Sequence, residues 1–221
     1  MGGRNNIYRR FRTRYGFGVH SPWAYEIIIS LIREKSAYYA YEELAKYSKN
    51  SPYSLPGYDE QTNRLLFRIV NYFSPSSILE VGTGSGVSAA YLSAARKSTK
   101  CVTIDMPHEK QREVRCFLDS FKNVESLYGD YLPLIDDFFH SNGCVEFAYV
   151  AHTGEFRQVM ESLLPLVTAD SMVVVGDVNS KDRACWWNRL IKDPRVGVTF
   201  EYKGTGFLFF DLNRYKQNYL L

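Results

Sequence analysis

The sequence lacks the features that would place it in several large classes of protein. Its four cysteines stand far apart and form no CxxC or zinc-type spacing, which excludes a disulfide framework or a zinc knot as the basis of the fold. No apolar run approaches the roughly 20 residues that a membrane span needs. The arginine-rich start also has no apolar segment of the kind found in secretory signals. We therefore expect a cytoplasmic protein that does not associate with a membrane.

The net charge of +3 is unevenly distributed along the chain. Five arginines precede the first acidic residue, Glu26, and aromatic residues stand between them. These arginines are Arg4, Arg9, Arg10, Arg12 and Arg14. Without them the chain has 22 basic and 24 acidic residues, so its basic character belongs to this arm. Arginines with interleaved aromatics suit nucleic-acid contact, but we favour an arm that is solvated or packed on the domain.

The first part of the chain is predicted to be helical. A length of 221 residues, 45% of them hydrophobic, fits one domain with an extension better than two full domains. We expect an N-terminal arm and helical extension over 1–57 and the main domain over 58–221. Ser21 and Pro22 predict a helix start, with the helix running to about Lys35. Asp59 predicts the cap of the next helix.

From Ile78 onward, short apolar strands alternate with amphipathic helices, which is typical of a parallel α/β sheet. We predict five strands near 78–81, 101–105, 124–128, 145–150 and 171–176. We predict helices near 87–97, 108–121, 131–140, 154–164 and 181–192. The end of the chain, Val196–Tyr202 and Phe207–Leu212, reads as a β-hairpin around Lys203-Gly204-Thr205-Gly206.

A glycine-rich loop follows the first predicted strand. Ile78–Val81 runs into Gly82-Thr83-Gly84-Ser85-Gly86, and a helix follows. Glycine is needed where a backbone must turn tightly and approach a ligand closely. The spacing is GxGxG with an acid, Glu80, two residues ahead, and it differs from the GxGxxG of dinucleotide sites.

The segment ILEVGTGSGVSAAYLS resembles the first motif of the class I methyltransferases that use S-adenosylmethionine (SAM). It is most similar to the catechol-type O-methyltransferase branch, and the resemblance covers about residues 60–212. It implies a three-layer, Rossmann-like α/β fold with a mostly parallel seven-stranded sheet that ends in an antiparallel hairpin. It also implies SAM as the cofactor. The segments around Gly16–Pro22 and Arg214–Gln217 look like an uncharacterised bacterial subgroup of such proteins.

The resemblance also implies roles for residues around the glycine loop. Glu80 would support the loop, and the backbone from Gly82 through Thr83, Gly84, Ser85 and Gly86 would lie along the methionine part of the cofactor. Ser88 would bind the cofactor carboxylate, although a serine at this point is about equally a helix-start cap.

Two acids further along the chain are candidates for the nucleoside part. Asp105 ends the second predicted strand, 23 residues beyond Gly82, where a carboxylate can accept both ribose hydroxyls. It could instead cap the following helix, and we favour the ribose role. Asp130 stands where the family has its adenine-binding acid or amide, with the N-cap of the next helix as an equal alternative.

The divalent metal of the catechol-type enzymes is not expected here. By the resemblance, that metal is held by an acid after the fourth strand and an acid–amide pair after the fifth, as hard oxygen ligands require. Ala151 stands in place of the first acid. Asp177 remains, Val178 replaces the amide, and Asn179 is one residue out of register. We predict a metal-independent protein.

His152 and Asp177 are the candidate catalytic residues. A histidine has an ordinary pKa near 6.5, which suits proton removal at neutral pH. His152 follows the fourth predicted strand, where the edge of the sheet should face the cleft. A histidine that only caps a loop is the alternative.

The leading hypothesis is a SAM-dependent methyltransferase acting on a small-molecule acceptor. A non-catalytic SAM-binding or nucleoside-binding protein is the first alternative, and an RNA-modifying methyltransferase guided by the arginine arm is a weaker one. Resemblance of fold does not separate these functions. The sequence leaves the acceptor and the oligomeric state open.

Overall fold

The computed structural model describes residues 16, 18–50, 59–151 and 153–221. Its helices, in chain order, are α1 (Pro22–Glu26), a π-helical turn (Ile27–Ile32), α2 (Ala40–Asn50), α3 (Glu60–Phe73), α4 (Val87–Ala95), α5 (Gln111–Leu118), α6 (Tyr131–Asn142), α7 (Phe156–Leu163) and α8 (Lys181–Leu190). Its strands are β1 (Ser77–Val81), β2 (Lys100–Asp105), β3 (Val124–Tyr128), β4 (Phe147–Val150), β5 (Met172–Val175), β6 (Val198–Tyr202), β7 (Thr205–Phe209) and β8 (Gln217–Leu220).

The strands form one sheet in the order β3-β2-β1-β4-β5-β7-β6-β8. The first five strands pair in parallel, and β7 pairs antiparallel with both β5 and β6. The order reverses between β1 and β4, which is the switch point where open α/β sheets bind ligands beyond the carboxyl ends of their strands. This arrangement confirms the predicted class, a mostly parallel α/β sheet ending in an antiparallel hairpin.

The sheet has one strand more than the sequence predicts. The eighth strand, β8, lies parallel to β6 at the edge of the sheet, with Thr199 opposite Asn218 and Phe200 opposite Tyr219. The Phe200 and Tyr219 rings stack with their centroids 4.9 Å apart. Four residues at the end of a chain carry little periodic signal, so their strand character comes from this tertiary pairing.

The helix starts follow the local chemistry of the sequence. The Ser21 hydroxyl accepts from the Ala24 amide at 3.3 Å, and Asp59 accepts from the Thr62 amide at 2.8 Å, so both predicted caps are present. The predicted helix over Ser21–Lys35 is not regular, because Ile27–Ile32 forms a π-helical turn. The buried Arg68 guanidinium donates to the carbonyls of Leu31 and Ile32 at 3.0 and 3.4 Å, which stabilises the end of this irregular turn.

The N-terminal extension shares a hydrophobic core with the sheet. Ile28, Leu31 and Ile32 belong to the same buried cluster as Ile78 and Phe200. A second large cluster lies on the other face of the sheet, under α6, α7 and α8. The predicted boundary at 57/58 falls outside the described residues and stays a prediction. None of the described helices combines the length and apolar character that crossing a bilayer requires.

Candidate active site

The glycine loop lies at the carboxyl end of β1 and leads directly into α4. Gly82, Gly84 and Gly86 all have positive φ, at 97°, 52° and 78°. A β-carbon on Gly86 would lie 3.1 Å from Leu118 Cγ and 3.2 Å from Phe117, so this position also packs closely against α5. A β-carbon on Gly84 would meet no described atom within 4 Å. The loop therefore packs tightly at Gly86 and faces open space at Gly84.

Glu80 is a fully buried carboxylate behind this loop. Its Oε2 accepts from the Thr103 hydroxyl at 2.6 Å, and Thr103 Oγ1 lies 2.7 Å from Thr83 Oγ1. Its Oε1 accepts no hydrogen bond of ordinary geometry from the described residues, although the Ser88 hydroxyl lies close enough to stabilise the charge. Burial raises the pKa of Glu80 to about 7; the hydroxyls of Ser88 and Thr103 oppose this shift and the charge of Asp105 adds to it.

Asp105 ends β2 and lies directly beside the glycine loop. Its Oδ2 accepts from the Gly84 amide at 2.9 Å. Its Oδ1 accepts from the Met106 amide and from the Tyr131 hydroxyl, each at 2.8 Å. A carboxylate has about four lone-pair sites, so three are already used. A ligand that donates two hydroxyls to Asp105 would have to displace one of these donors.

Ser88 and Asp130 lie at the starts of the helices that follow β1 and β3. Ser88 is the second residue of α4, whose N-cap is Gly86, so the alternative of Ser88 as the helix cap is wrong. Asp130 does occupy the N-cap position of α6, but its exposed side chain makes no capping hydrogen bond. The carboxylate of Asp130 thus remains open to solvent at the end of β3. The remaining loop residues, Thr83 and Ser85, are both buried.

A cavity of about 490 Å³ lies beyond the ends of β4 and β5. Thr153, Asp177, Ser180, Arg183 and Trp186 are among its lining residues. Asp177 has a φ of 51°, a left-handed backbone conformation that residues other than glycine adopt uncommonly. Backbone strain of this kind clusters at functional sites. The cavity therefore brings Asp177 together with polar groups from the loops after two neighbouring strands.

Arg183 is a buried cation that joins these two loops. Its guanidinium donates to the main-chain oxygens of Gly176 at 2.8 Å, Ala151 at 2.6 Å and Thr153 at 3.1 Å. The same group lies over the Phe156 ring, 4.7 Å from its centroid. The positive charge is thus held at the carboxyl ends of β4 and β5 by α8.

The surrounding side chains do not fit the divalent metal of the catechol-type enzymes. Ala151 and Val178 are buried and carry no side-chain oxygen, which leaves only Asp177 of the three implied ligands. No group of three or more possible metal-ligating side chains occurs in the part of the chain that the structure describes. The Arg183 cation beside Ala151 and Gly176 would also repel a metal ion there.

Sequence reasoning located part of this site and missed the rest. His152 lies outside the described residues, so its role stays a prediction. Arg183 and the Tyr131 hydroxyl carried no motif that marked them. Trp186 lines the cavity, whereas its neighbour Trp187 is buried against Gly206. Only the fold distinguishes these two adjacent tryptophans.

Solved methyltransferase structures share this architecture. The SAM complex of the O-methyltransferase TomG from Streptomyces achromogenes is 18% identical, with a TM-score of 0.60 over 79% of this chain and 91% of TomG. An O-methyltransferase from Bacillus cereus bound to S-adenosylhomocysteine (SAH) is 16% identical, with a TM-score of 0.60 over 79% and 92% of the two chains. The SAH-bound methyltransferase PaMTH1 from Podospora anserina is 14% identical, with a TM-score of 0.62 over 89% and 97%.

The class of fold follows from these likenesses and from the sheet order. No protein-family model matches the chain. The protein has the three-layer, Rossmann-like fold of the class I SAM-dependent methyltransferases. The two O-methyltransferase structures each align with 79% of this chain.

Proposed function

We propose that this protein is a SAM-dependent methyltransferase that works without a metal ion on a small-molecule acceptor. The observation that carries the proposal is the glycine loop at the end of β1, which faces open space at Gly84 and lies beside the buried Glu80 and the strand-end carboxylate of Asp105. Bound SAM would supply an electrophilic methyl group on a positively charged sulfur. The chain would contribute binding, alignment and exclusion of water, which is most of what an in-line methyl transfer needs.

The residues around the cleft fit this cofactor. The backbone from Gly82 to Gly86 would lie along the methionine part, with Thr83 and Ser85 buried beneath it. Asp105 would accept the ribose hydroxyls after releasing one donor, and Tyr131 is the donor most readily displaced because it is a side chain. Ser88 and Asp130 would hold the carboxylate and the adenine. Glu80 would offset the positive charge of the ligand.

The acceptor would occupy the cavity lined by Thr153, Asp177 and Trp186. Asp177 and His152 would take the proton from the acceptor atom as the methyl group is transferred. Neutral imidazole is a suitable base near pH 7. The fixed charge of Arg183 would favour a negatively charged acceptor atom in the same cavity.

Binding of SAM to matched glycine variants tests the cofactor proposal. At a concentration one hundred times Kd, SAM should stabilise the protein by about 2.7 kcal/mol and raise its Tm by about 5 °C or more. Gly84→Val should abolish this rise, because the side chain would fill the space left for the cofactor. Gly143→Val is the control: Gly143 also has positive φ and open space around it, but it ends α6 away from the cleft.

The two variants should lose similar intrinsic stability, since both put a branched side chain at positive φ. Of these two variants, only Gly143→Val should keep the rise in Tm that SAM produces in the unmodified protein. An equal rise in both variants, or no rise in the unmodified protein at millimolar SAM, would overturn the proposal.

In the same preparations, His152→Ala should keep SAM binding and lose turnover. Full turnover in that variant would remove His152 from the mechanism.

A further inference from the structure

A second cavity, of about 510 Å³, lies between the N-terminal extension, the start of α3 and the β6–β7 hairpin. Its volume is in the range of small-molecule sites. Its described lining contains five cationic side chains and a single carboxylate. These are Arg33, Lys35, Arg64, Arg68 and Lys203, with Glu34 as the carboxylate. We call this the cationic cavity.

The cationic cavity lies at the carboxyl edge of the sheet, as the candidate active site does. The Val178 amide donates to the Gly204 carbonyl at 2.9 Å, so the hairpin turn is tied to the loop that carries Asp177. Lys203 stands in this turn at a φ of 50°, and its ammonium contacts the Gln61 side chain at the start of α3. Asp177 and Lys203 are therefore held on two connected loops.

Two acids lie next to the arginines of the cationic cavity. Glu34 lies 4.0 Å from Arg68 and also accepts from the Tyr38 hydroxyl at 3.2 Å. Glu60, outside the lining, pairs with Arg64 at 2.5 Å. Among the lining residues, the cationic side chains outnumber the single carboxylate. Exposed pairs such as Arg64–Glu60 contribute little and yield readily to a better partner.

Arg68 is held in place by main-chain contacts before any ligand arrives, and Arg64 packs on an aromatic ring. Arg68 is only 8% exposed and donates to the Leu31 and Ile32 carbonyls at the end of the π-helical turn. Arg64 lies over the Tyr41 ring, 4.8 Å from its centroid. A ligand that meets an already positioned guanidinium group loses less free energy in ordering it. Arginine forks also match the geometry of phosphate and carboxylate oxygens.

We propose that the cationic cavity binds the phosphate or carboxylate group of an acidic small molecule, and that this molecule is the methyl acceptor. The acceptor part of this inference rests on the proposed function. The anionic group would occupy the cationic cavity, and the remainder would extend past the hairpin turn toward Asp177. Neutral acceptors would lack this anchoring contact.

Pyrophosphate titrations of the full chain test the anion site directly. Calorimetry at constant ionic strength should show saturable binding of sodium pyrophosphate, and inorganic phosphate should bind more weakly because it carries fewer oxygens and less charge. A double variant, Lys35→Met with Lys203→Met, should weaken pyrophosphate binding by at least tenfold. Lys100→Met is the control, since Lys100 is an exposed lysine paired with Glu125 at the start of β2, on the opposite edge of the sheet.

The control should change pyrophosphate affinity by less than twofold. Absence of saturable binding, or equal weakening in the double variant and the control, would overturn the site. The affinity for SAM, measured on the same three proteins, should be unchanged. Pyrophosphate binding without SAM binding would leave the anion site standing and refute the proposed function, so the two failures are distinguishable.

Label transfer tests whether the acidic molecule is the acceptor. The full chain is incubated with methyl-tritiated SAM and the small-molecule fraction of a bacterial lysate. The labelled product should be retained by an anion exchanger at pH 7, and pyrophosphate should inhibit its formation in the unmodified protein more than in the double variant. A labelled product that passes through the exchanger would overturn the acceptor assignment.

Discussion

At the scale of single residues, Glu80 is the most unusual group in the molecule. Its side chain is fully buried, one hydroxyl donates to it in good geometry, and its other oxygen has no such donor among the described residues. A carboxylate in this position is stable only when it is protonated or when a cation lies nearby. This cost of burying the charge raises the pKa of Glu80 to about 7.

This raised pKa makes the stability of the ligand-free protein depend on pH. Because the folded pKa of about 7 exceeds the ordinary value of 4.5, Glu80 binds its proton more tightly in the fold than in the unfolded chain. The contribution of this bound proton to the free energy of unfolding is complete below pH 4.5 and is lost as the pH rises through 7. The free energy of unfolding should fall by about 3 kcal/mol over this window relative to Glu80→Gln.

Urea denaturation of both proteins at pH 5, 6, 7 and 8 measures this difference. Glu125→Gln serves as a control, since Glu125 is an exposed acid paired with Lys100 and should follow the unmodified protein. Parallel stability curves for the unmodified protein and Glu80→Gln would show that the buried acid does not titrate in this range.

At the scale of elements, α8 connects the two loops of the candidate acceptor site. Arg183 lies near the start of this helix and holds the carbonyls that follow β4 and β5. A π-helical turn has a similar role at the cationic cavity, where it presents two carbonyls to Arg68. In both places an arginine from one helix satisfies main-chain oxygens that regular structure leaves without donors.

Removal of the Arg183 guanidinium should destabilise the protein. Arg183→Met leaves three main-chain oxygens without their donor, which should lower the free energy of unfolding by about 3 kcal/mol. Arg189→Met, on the exposed side of the same helix, should cost less than about 1 kcal/mol.

Magnesium or EDTA should alter neither SAM affinity nor turnover of the unmodified protein.

Denaturant unfolding and SAM titrations, each with and without magnesium, provide the comparison. Equal stability losses in the two arginine variants would refute the structural role of Arg183. A magnesium ion bound to Asp177 at about 2.1 Å in a crystal would refute metal independence.

At the scale of the whole molecule, the charge distribution bears on the kind of partner. The five arginines of the arm precede a remainder with 22 basic and 24 acidic residues. The cationic cavity concentrates positive charge at one concave place within that remainder. A concave, localised site suits a small acidic molecule better than an extended nucleic-acid strand, which needs a continuous basic track.

Deletion of residues 1–15 should therefore leave RNA binding unchanged and weak. We expect no binding below micromolar concentration, measured by fluorescence anisotropy with a single-stranded RNA at low and moderate salt. Nucleic-acid affinity that depends on counterion release falls steeply as salt rises. Sub-micromolar binding that depends on both salt and the arm would favour the RNA-modifying alternative.

Much of the fold was predictable because it follows from local patterns. The alternation of apolar strands with amphipathic helices predicted the parallel sheet, and the residues around Ser21 and Asp59 predicted their helix caps. The hairpin turn is shorter than predicted, since Thr205 and Gly206 already belong to β7. The π-helical turn and β8 escaped prediction because tertiary contacts, to Arg68 and to β6, decide them.

Spacing along the chain is enough to define the chemistry of the glycine loop, of the acid before it and of the acid at the end of β2. Which distant groups come into contact depends on the fold. Arg183 reaches the carbonyl of Ala151, 32 residues away, and the cationic cavity unites side chains from the extension, α3 and the hairpin. A parallel sheet gathers the carboxyl ends of strands that are far apart in sequence, and no local pattern records that convergence.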